Sequence, residues 1–266
     1  MDRRRFIQTS LIGALAAVAA ACSRAIGAVA TSTSEASSTT GVVPVSTAAG
    51  RATTTSDAPS AEPTTTTART TAVAASIVEV ISRAGWGASP PSGEFTEHTI
   101  ERVTVHHTAR RLDANRDAPR AIRIHQQFHQ VDRGWSDIAY HFVVDAAGNV
   151  YEGRPIGAVG DTGTDYDPTG HFLVACEGNF DDQEVPAAQL SALISVVGWA
   201  INEFALGADA VVNGHRDVAT TSCPGDALYP FVADGSLLRR ALDVGRIDLL
   251  YLSDEASAAS VAAIEA

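Results

Sequence analysis

Polar and apolar positions alternate from Arg102 to His107 (R-V-T-V-H-H) in a β-branched run, which predicts a strand. Asp117 to Val131 follows with apolar positions at Ile122, Ile124 and Phe128, and its Asp-Ala-Pro opening is a helix start. Alternation returns from Asp137 to Val144, and Asp145-Ala-Ala-Gly-Asn149 turns the chain into Val150-Tyr-Glu-Gly153, which predicts a hairpin. Phe172 to Cys176 is a continuous apolar run of buried-strand type, and Val185 to Leu206 has the period of a largely apolar helix packed on a sheet. Ala210 to Val212 predicts a last short strand that delivers His215 beyond its end. Strands alternating with helices give a single α/β domain with a mixed central β-sheet flanked by helices.

Aromatic usage bounds that domain. All eight histidines lie between His98 and His215, and the chain before residue 77 holds only Phe6 as an aromatic, so it cannot build a core. The expected folded domain is 77–250, one domain of ordinary size, followed by a tail at 251–266 that reads as frayed or weakly helical. A formal net charge of −12 excludes wrapping of nucleic acid, which needs a positive footprint.

The N-terminus reads as an export signal over 1–30. Arg3, Arg4 and Arg5 precede an apolar run from Leu11 to Ala21 that is too short to span a bilayer. The arginine pair followed by Phe6-Ile7 resembles a twin-arginine signal; the alternative is an ordinary secretory signal with a basic start. Ala19-Ala-Ala-Cys22 resembles a lipoprotein processing site, although Ala19 stands where leucine is usual, and simple cleavage with Cys22 incidental is the other reading. From 31 to 76 the chain is Thr, Ser, Ala and Pro, a disordered linker that buries too little apolar surface to offset ordering entropy. As a flexible coil it has a root-mean-square reach of ~40 Å. With Cys22 lipidated, the protein is exported and held at the outer side of the cytoplasmic membrane; otherwise it is secreted.

Candidate chemistry gathers in two stretches. Val212 to Gly225 (V-N-G-H-R-D-V-A-T-T-S-C-P-G) sets His215 eight residues before Cys223. Val103 to Ala109 offers His106 and His107, which as strand neighbours face opposite sides of a sheet, so one of them can join a given site. Two imidazoles and a thiolate form a ligand set for catalytic zinc. Each histidine alone is more often structural, and Cys223 can equally be a nucleophile paired with His215 or a disulfide partner of Cys176. His125-Gln-Gln-Phe-His129 has the helical spacing of a zinc protease motif, but Gln126 stands where that motif needs its glutamate, so the pair reads as surface or packing histidines. His141 and His171 have no partner spacing.

I-S-R-A-G-W-G-A (81–88), V-T-V-H-H-T-A (103–109), G-W-S-D-I-A-Y-H-F (134–142), G-N-V-Y-E-G-R (148–154), E-G-N-F (177–180) and G-H-R-D-V-A-T-T-S-C-P-G (214–225) occur in that order. Together they resemble the zinc-dependent N-acetylmuramoyl-L-alanine amidases of the peptidoglycan recognition protein and phage amidase type, over about residues 78 to 232. The resemblance implies Zn2+ held by His106, His215 and Cys223, with Tyr140 as the catalytic tyrosine and Thr221 near the developing oxyanion. It implies hydrolysis of the amide between N-acetylmuramic acid and L-alanine in peptidoglycan, by a monomer. A more distant branch uses aspartate as third ligand and a strand glutamate as base; Cys223 and Ala175 occupy those places here. Relatives often carry Gly-Ala-His before the E-G-N-F strand, where this chain has Gly160-Asp161-Thr162, which opens the peptide preference. The rival functions are a peptidoglycan-binding module without catalysis and a Cys223/His215 thiol hydrolase.

Overall fold

The computed structural model describes residues 76–266. Arg3, Arg4, Cys22 and linker residues 31–75 lie outside the described residues. The elements run β1 (Ser76–Ile81), β2 (Arg102–His107), α1 (Ala118–Gln127), β3 (Phe142–Val144), β4 (Val150–Glu152), β5 (His171–Cys176), α2 (Ala187–Glu203), β6 (Val212–Gly214), α3 (Tyr229–Ala233), α4 (Ser236–Asp243), β7 (Ile247–Tyr251) and α5 (Asp254–Glu265). Ser76, the last residue assigned to the linker, already belongs to β1.

The seven strands form one mixed sheet in the order β6-β2-β5-β3-β4-β1-β7. Only the β3–β4 hairpin is antiparallel; β2 runs parallel to both β5 and β6, with Val105 beside Val174 and Gly214. Strand periodicity divides the core between the two faces. Val103, Val105, Phe142, Val144, Phe172 and Val174 join Leu193, Val197 and Trp199 of α2 and Leu237 of α4. On the opposite face Ile81, Val143 and Tyr151 meet Ile122 of α1, Val261 of α5 and the buried ring of Trp86. These two clusters fasten the helices to the sheet, because burial of such side chains is worth roughly 1.5–3 kcal/mol each.

Sequence and structure differ at three places, each for a local reason. The expected strand at Asp137–Val144 shrinks to Phe142–Val144. Its first half is a buried loop whose backbone is satisfied by side chains: Asp137 accepts from the Ile138 N–H at 2.7 Å, and Arg154 donates to the carbonyls of Ile138 at 2.9 Å and Asp137 at 3.1 Å. The strand expected at Ala210–Val212 lies two residues later, at Val212–Gly214, where it pairs with Val103–Val105. The tail at 251–266, expected as frayed or weakly helical, is a helix, and it is built into the fold. Just before it β7 lies parallel to β1, and α5 is capped by Ser253, whose side chain accepts from the Ala256 N–H at 3.2 Å. Ser257 of α5 accepts from the Ser82 N–H at 2.9 Å, and a side chain at Gly85 would collide with Ser257, so the helix docks directly on backbone. Alanine-rich composition hides this docking from sequence, since small residues give little periodic signal.

No helix among the described residues is long and apolar enough to cross a membrane.

Candidate metal centre

Three separated segments meet at the C-terminal ends of β2 and β6. His106 is the fifth residue of β2, pointing away from the α2 face, while His107 points towards it and packs near Phe180. β6 ends at Gly214, and the chain turns at once into a short 3-10 segment that begins with His215. Asp217 fixes this turn by accepting from the Gly214 N–H at 2.7 Å. Cys223 follows on a loop held back against the same turn: the Arg216 N–H donates to the Cys223 carbonyl at 2.8 Å, and the Cys223 N–H donates to Thr221 Oγ1 at 3.2 Å.

His106, His215 and Cys223 are all buried, and one potential ligand atom from each lies within 4.8 Å of the other two. Cys223 Sγ is 3.7 Å from Nδ1 of His106, and the His106 and His215 ring centroids are 4.6 Å apart. Zinc bonds of about 2.0–2.3 Å to nitrogen and sulfur in a tetrahedron separate the donors by about 3.3–3.8 Å, so the three residues fit one ion with slight closure. This is the only such group among the described residues.

Electrostatics favour the neutral imidazoles a metal needs. Burial holds His106 well below the usual histidine range, helped by neighbouring His215 and His107, and burial with His107 lowers His215 to about 4. Burial pushes the Cys223 thiol up to about 12, against the opposing pull of the His107 N–H bond. Arg216 also favours the thiolate, but burial outweighs it; a divalent ion on His106 and His215 would add a second, closer cation.

A cleft of about 250 Å³ opens over these residues, lined among others by Tyr140, Thr221, Trp135, Arg133 and Thr162. Tyr140 packs against His106 with ring centroids 5.3 Å apart, and burial raises its phenol far above the ordinary tyrosine range, with Cys223 adding to the effect. It remains protonated and is a hydrogen-bond donor. Its backbone is clamped: the Tyr140 carbonyl accepts from the Arg154 N–H at 2.8 Å, and Gly153 approaches that carbonyl so closely that a Cβ would overlap it. His106, His215, Cys223, Tyr140 and Thr221 therefore all line this one cleft.

The remaining histidines do other work. His129 Nδ1 accepts from the Ala139 N–H at 3.1 Å, and His125 pairs with buried Glu177 at 3.1 Å, so the two do not share a ligand. His171 bonds Thr104 at 2.7 Å. Cys176 and Cys223 are both free thiols, which overturns the disulfide alternative. Sequence reading missed Thr164 and Tyr166. Thr164 Oγ1 lies 2.8 Å from His215 Nε2, and Tyr166 Oη lies 3.5 Å from His106 Nε2. The departure at Asp161-Thr162 flagged this loop, but nothing in its spacing tells that it folds onto the imidazoles.

The N-acetylmuramoyl-L-alanine amidase family model (Amidase_2) matches residues 96–226, which contain all three donors, Tyr140 and Thr221. Mouse peptidoglycan recognition protein 1 is 31% identical over 156 residues, covering 58% of this chain and 85% of that protein. The solved structure of Drosophila peptidoglycan recognition protein SD superposes with a TM-score of 0.55 at 30% identity, covering 58% of this chain and 93% of that one. Peptidoglycan recognition protein LE, solved in complex with tracheal cytotoxin, a monomeric diaminopimelic acid-type peptidoglycan, superposes with a TM-score of 0.54 at 28% identity, over 58% of this chain and 92% of that one. Fold and matched span agree, and the chain belongs to the family of type 2 N-acetylmuramoyl-L-alanine amidases and peptidoglycan recognition proteins.

Proposed function

We propose that this protein is a zinc-dependent N-acetylmuramoyl-L-alanine amidase, hydrolysing the amide that joins the lactyl group of N-acetylmuramic acid to L-alanine in peptidoglycan. The observation that carries the reading is the convergence of His106, His215 and Cys223 within 4.8 Å beneath a cleft that also holds Tyr140. Family members that bind peptidoglycan fragments support the substrate class.

Zinc at the three donors supplies Lewis acidity, lowering the pKa of water towards neutrality and polarising a carbonyl. The chain's own residues do the rest. Tyr140, held protonated, donates to oxygen in the cleft and orients the attacking water or helps move its proton. Thr221 accepts the Cys223 N–H through Oγ1, which leaves its hydroxyl hydrogen to donate to the oxyanion that forms at the scissile carbonyl. His106 and His215 stay neutral and hold position. A thiol hydrolase is disfavoured because its cysteine needs a lowered pKa, and burial drives Cys223 the other way.

The same reading takes Arg3-Arg4 as directing export and Cys22 as carrying lipid, which leaves the domain tethered where peptidoglycan is. The test is mass analysis of muropeptides digested with and without a chelator. Release of free stem peptide with an L-alanine amino terminus, abolished by chelation and restored by zinc, is the expected result. Tight peptidoglycan binding with no cleavage would make the protein a binding module, and cleavage that survives metal stripping would make it a thiol enzyme.

A further inference from the structure

We propose that Thr164 is a positioning residue for the metal centre: its hydroxyl takes the Nε2 hydrogen of His215 and so turns the Nδ1 lone pair to the ion. The inference rests on the zinc reading above and deepens it.

Among the described residues, hydrogen bonds reach the His215 imidazole at Nε2 alone, from Thr164 Oγ1 at 2.8 Å and Thr162 Oγ1 at 3.4 Å. A neutral imidazole carries one hydrogen, and which nitrogen bears it is set by the partner that nitrogen finds. With the hydrogen on Nε2, the hydroxyls form a directed chain. Nε2–H donates to Thr164 Oγ1, and the Thr164 hydroxyl donates to Thr162 Oγ1 at 2.7 Å. The Thr162 oxygen also accepts the Thr164 N–H at 3.2 Å, which pins the turn that presents both hydroxyls. With the hydrogen on Nδ1 instead, the lone pair a metal requires would be blocked.

The loop is fixed at its base. Asp161 pairs with the guanidinium of Arg154, whose side chain is buried against the Ile138 and Val159 carbonyls. At its far end the Tyr166 ring packs edge-on to His215, with centroids 5.1 Å apart. Partners in this outer position orient metal-binding histidines, and losing one typically costs 10–100-fold in metal affinity. Thr162 closes the Gly160-Asp161-Thr162 stretch, and Thr164 lies two residues beyond it.

The experiment is competition of the purified protein with a chromogenic chelator for zinc, using wild type, Thr164→Val, Thr164→Ser and Thr162→Val. Thr164→Val keeps the shape and removes the hydroxyl, and it is expected to weaken zinc binding 10–100-fold. Thr164→Ser should stay within about threefold of wild type, and Thr162→Val should lie between the two. The melting temperature of the metal-free protein should match in all four. Equal zinc affinity in wild type and Thr164→Val would overturn the proposal, and so would a loss in Thr164→Ser as large as in Thr164→Val. Nitrogen NMR of the histidines in wild type gives a second measure that needs no variant: His215 should carry its hydrogen on Nε2, and a hydrogen on Nδ1 overturns the assignment. Absence of zinc binding by wild type would instead sink the metal reading, and the tautomer in the metal-free protein would still decide the hydrogen bond.

Discussion

The backbone N–H of His107 donates to Cys223 Sγ at 3.3 Å, so the residue beside His106 solvates the sulfur that faces the same cluster. The strand thus contributes twice from adjacent positions: the His106 imidazole on one face and the His107 main chain at its tip. An N–H aimed at sulfur stabilises the thiolate over the thiol. It also limits how far Cys223 can move when metal is absent.

Cys223→Ser should lower zinc occupancy and amidase activity together. The hydroxyl keeps a polar group near the His107 N–H, so the fold should survive, yet a serine oxygen is a far poorer zinc ligand than a thiolate. Metal analysis alongside muropeptide release checks this. Full activity in a zinc-free preparation of the variant or the wild type would remove Cys223 from the role given to it.

Tyr140→Phe keeps the ring against His106 and removes the donor. Zinc content and melting temperature should hold, and kcat should fall by ~10²-fold or more if the hydroxyl takes part in proton transfer. Normal turnover with normal zinc would limit Tyr140 to packing.

Legibility in the sequence followed the physical strength of each signal. β2, α1 and α2 are readable because their apolar periods extend over a whole element, and the clustering of His106, His215 and Cys223 because they sit in ordered motif blocks. Asp137–Tyr140 was misread as strand since its alternation is real, while the contacts that replace the ladder come from Arg154 and Asp137, which act across the chain. α3 and α4 are too short to show a period, and α5 packs through alanine and serine. Thr164 was invisible for another reason. A hydroxyl that meets an imidazole 51 residues away leaves no local pattern.

Gly153→Ala should destabilise the domain by ~1–3 kcal/mol, the usual cost of forcing an extra methyl into packed surroundings. The added Cβ would overlap the Tyr140 carbonyl oxygen, and backbone cannot swing aside as a flexible side chain can. Gly157→Ala, where nothing lies within 4 Å of the new Cβ, should stay within about 0.5 kcal/mol of wild type. Urea unfolding of both variants gives the comparison; equal stability would show that the Tyr140 clamp yields at no cost.

Cys22→Ala should move the protein from the detergent fraction to the soluble envelope or medium, as expected if this cysteine carries lipid. Muropeptide release by the purified variant should hardly change, because His106, His215, Cys223, Tyr140 and Thr221 all lie in the domain that follows β1. A wild-type protein that is already soluble, with its mature N-terminus beyond Cys22, would show a freely secreted enzyme.

Acid should unfold the domain through its buried neutral histidines, of which His141 and His129 lie outside the His106, His215 and Cys223 group. His141 is committed as a neutral ring: Nδ1 accepts from the Leu173 N–H at 2.8 Å, and Nε2–H donates to the Ala158 carbonyl at 2.9 Å. Burial lowers it to about 3, partly opposed by that carbonyl, and burial with nearby His125 and Arg154 lowers His129 to about 3. In the unfolded chain both titrate near about 6.5. Above that pH neither state is protonated and the stability is complete. As pH falls below it, the unfolded chain binds protons that the folded chain refuses, so stability drops by up to about 1.4 kcal/mol per pH unit for each ring until the folded values are reached. Urea midpoints of the metal-free protein should therefore fall between pH 6.5 and 4. His129→Asn retains an acceptor for the Ala139 N–H and cannot titrate, so its stability should fall with a slope shallower by about one proton. The same slope in wild type and variant would mean that His129 is protonated in the folded state, and that the Ala139 bond does not hold it neutral.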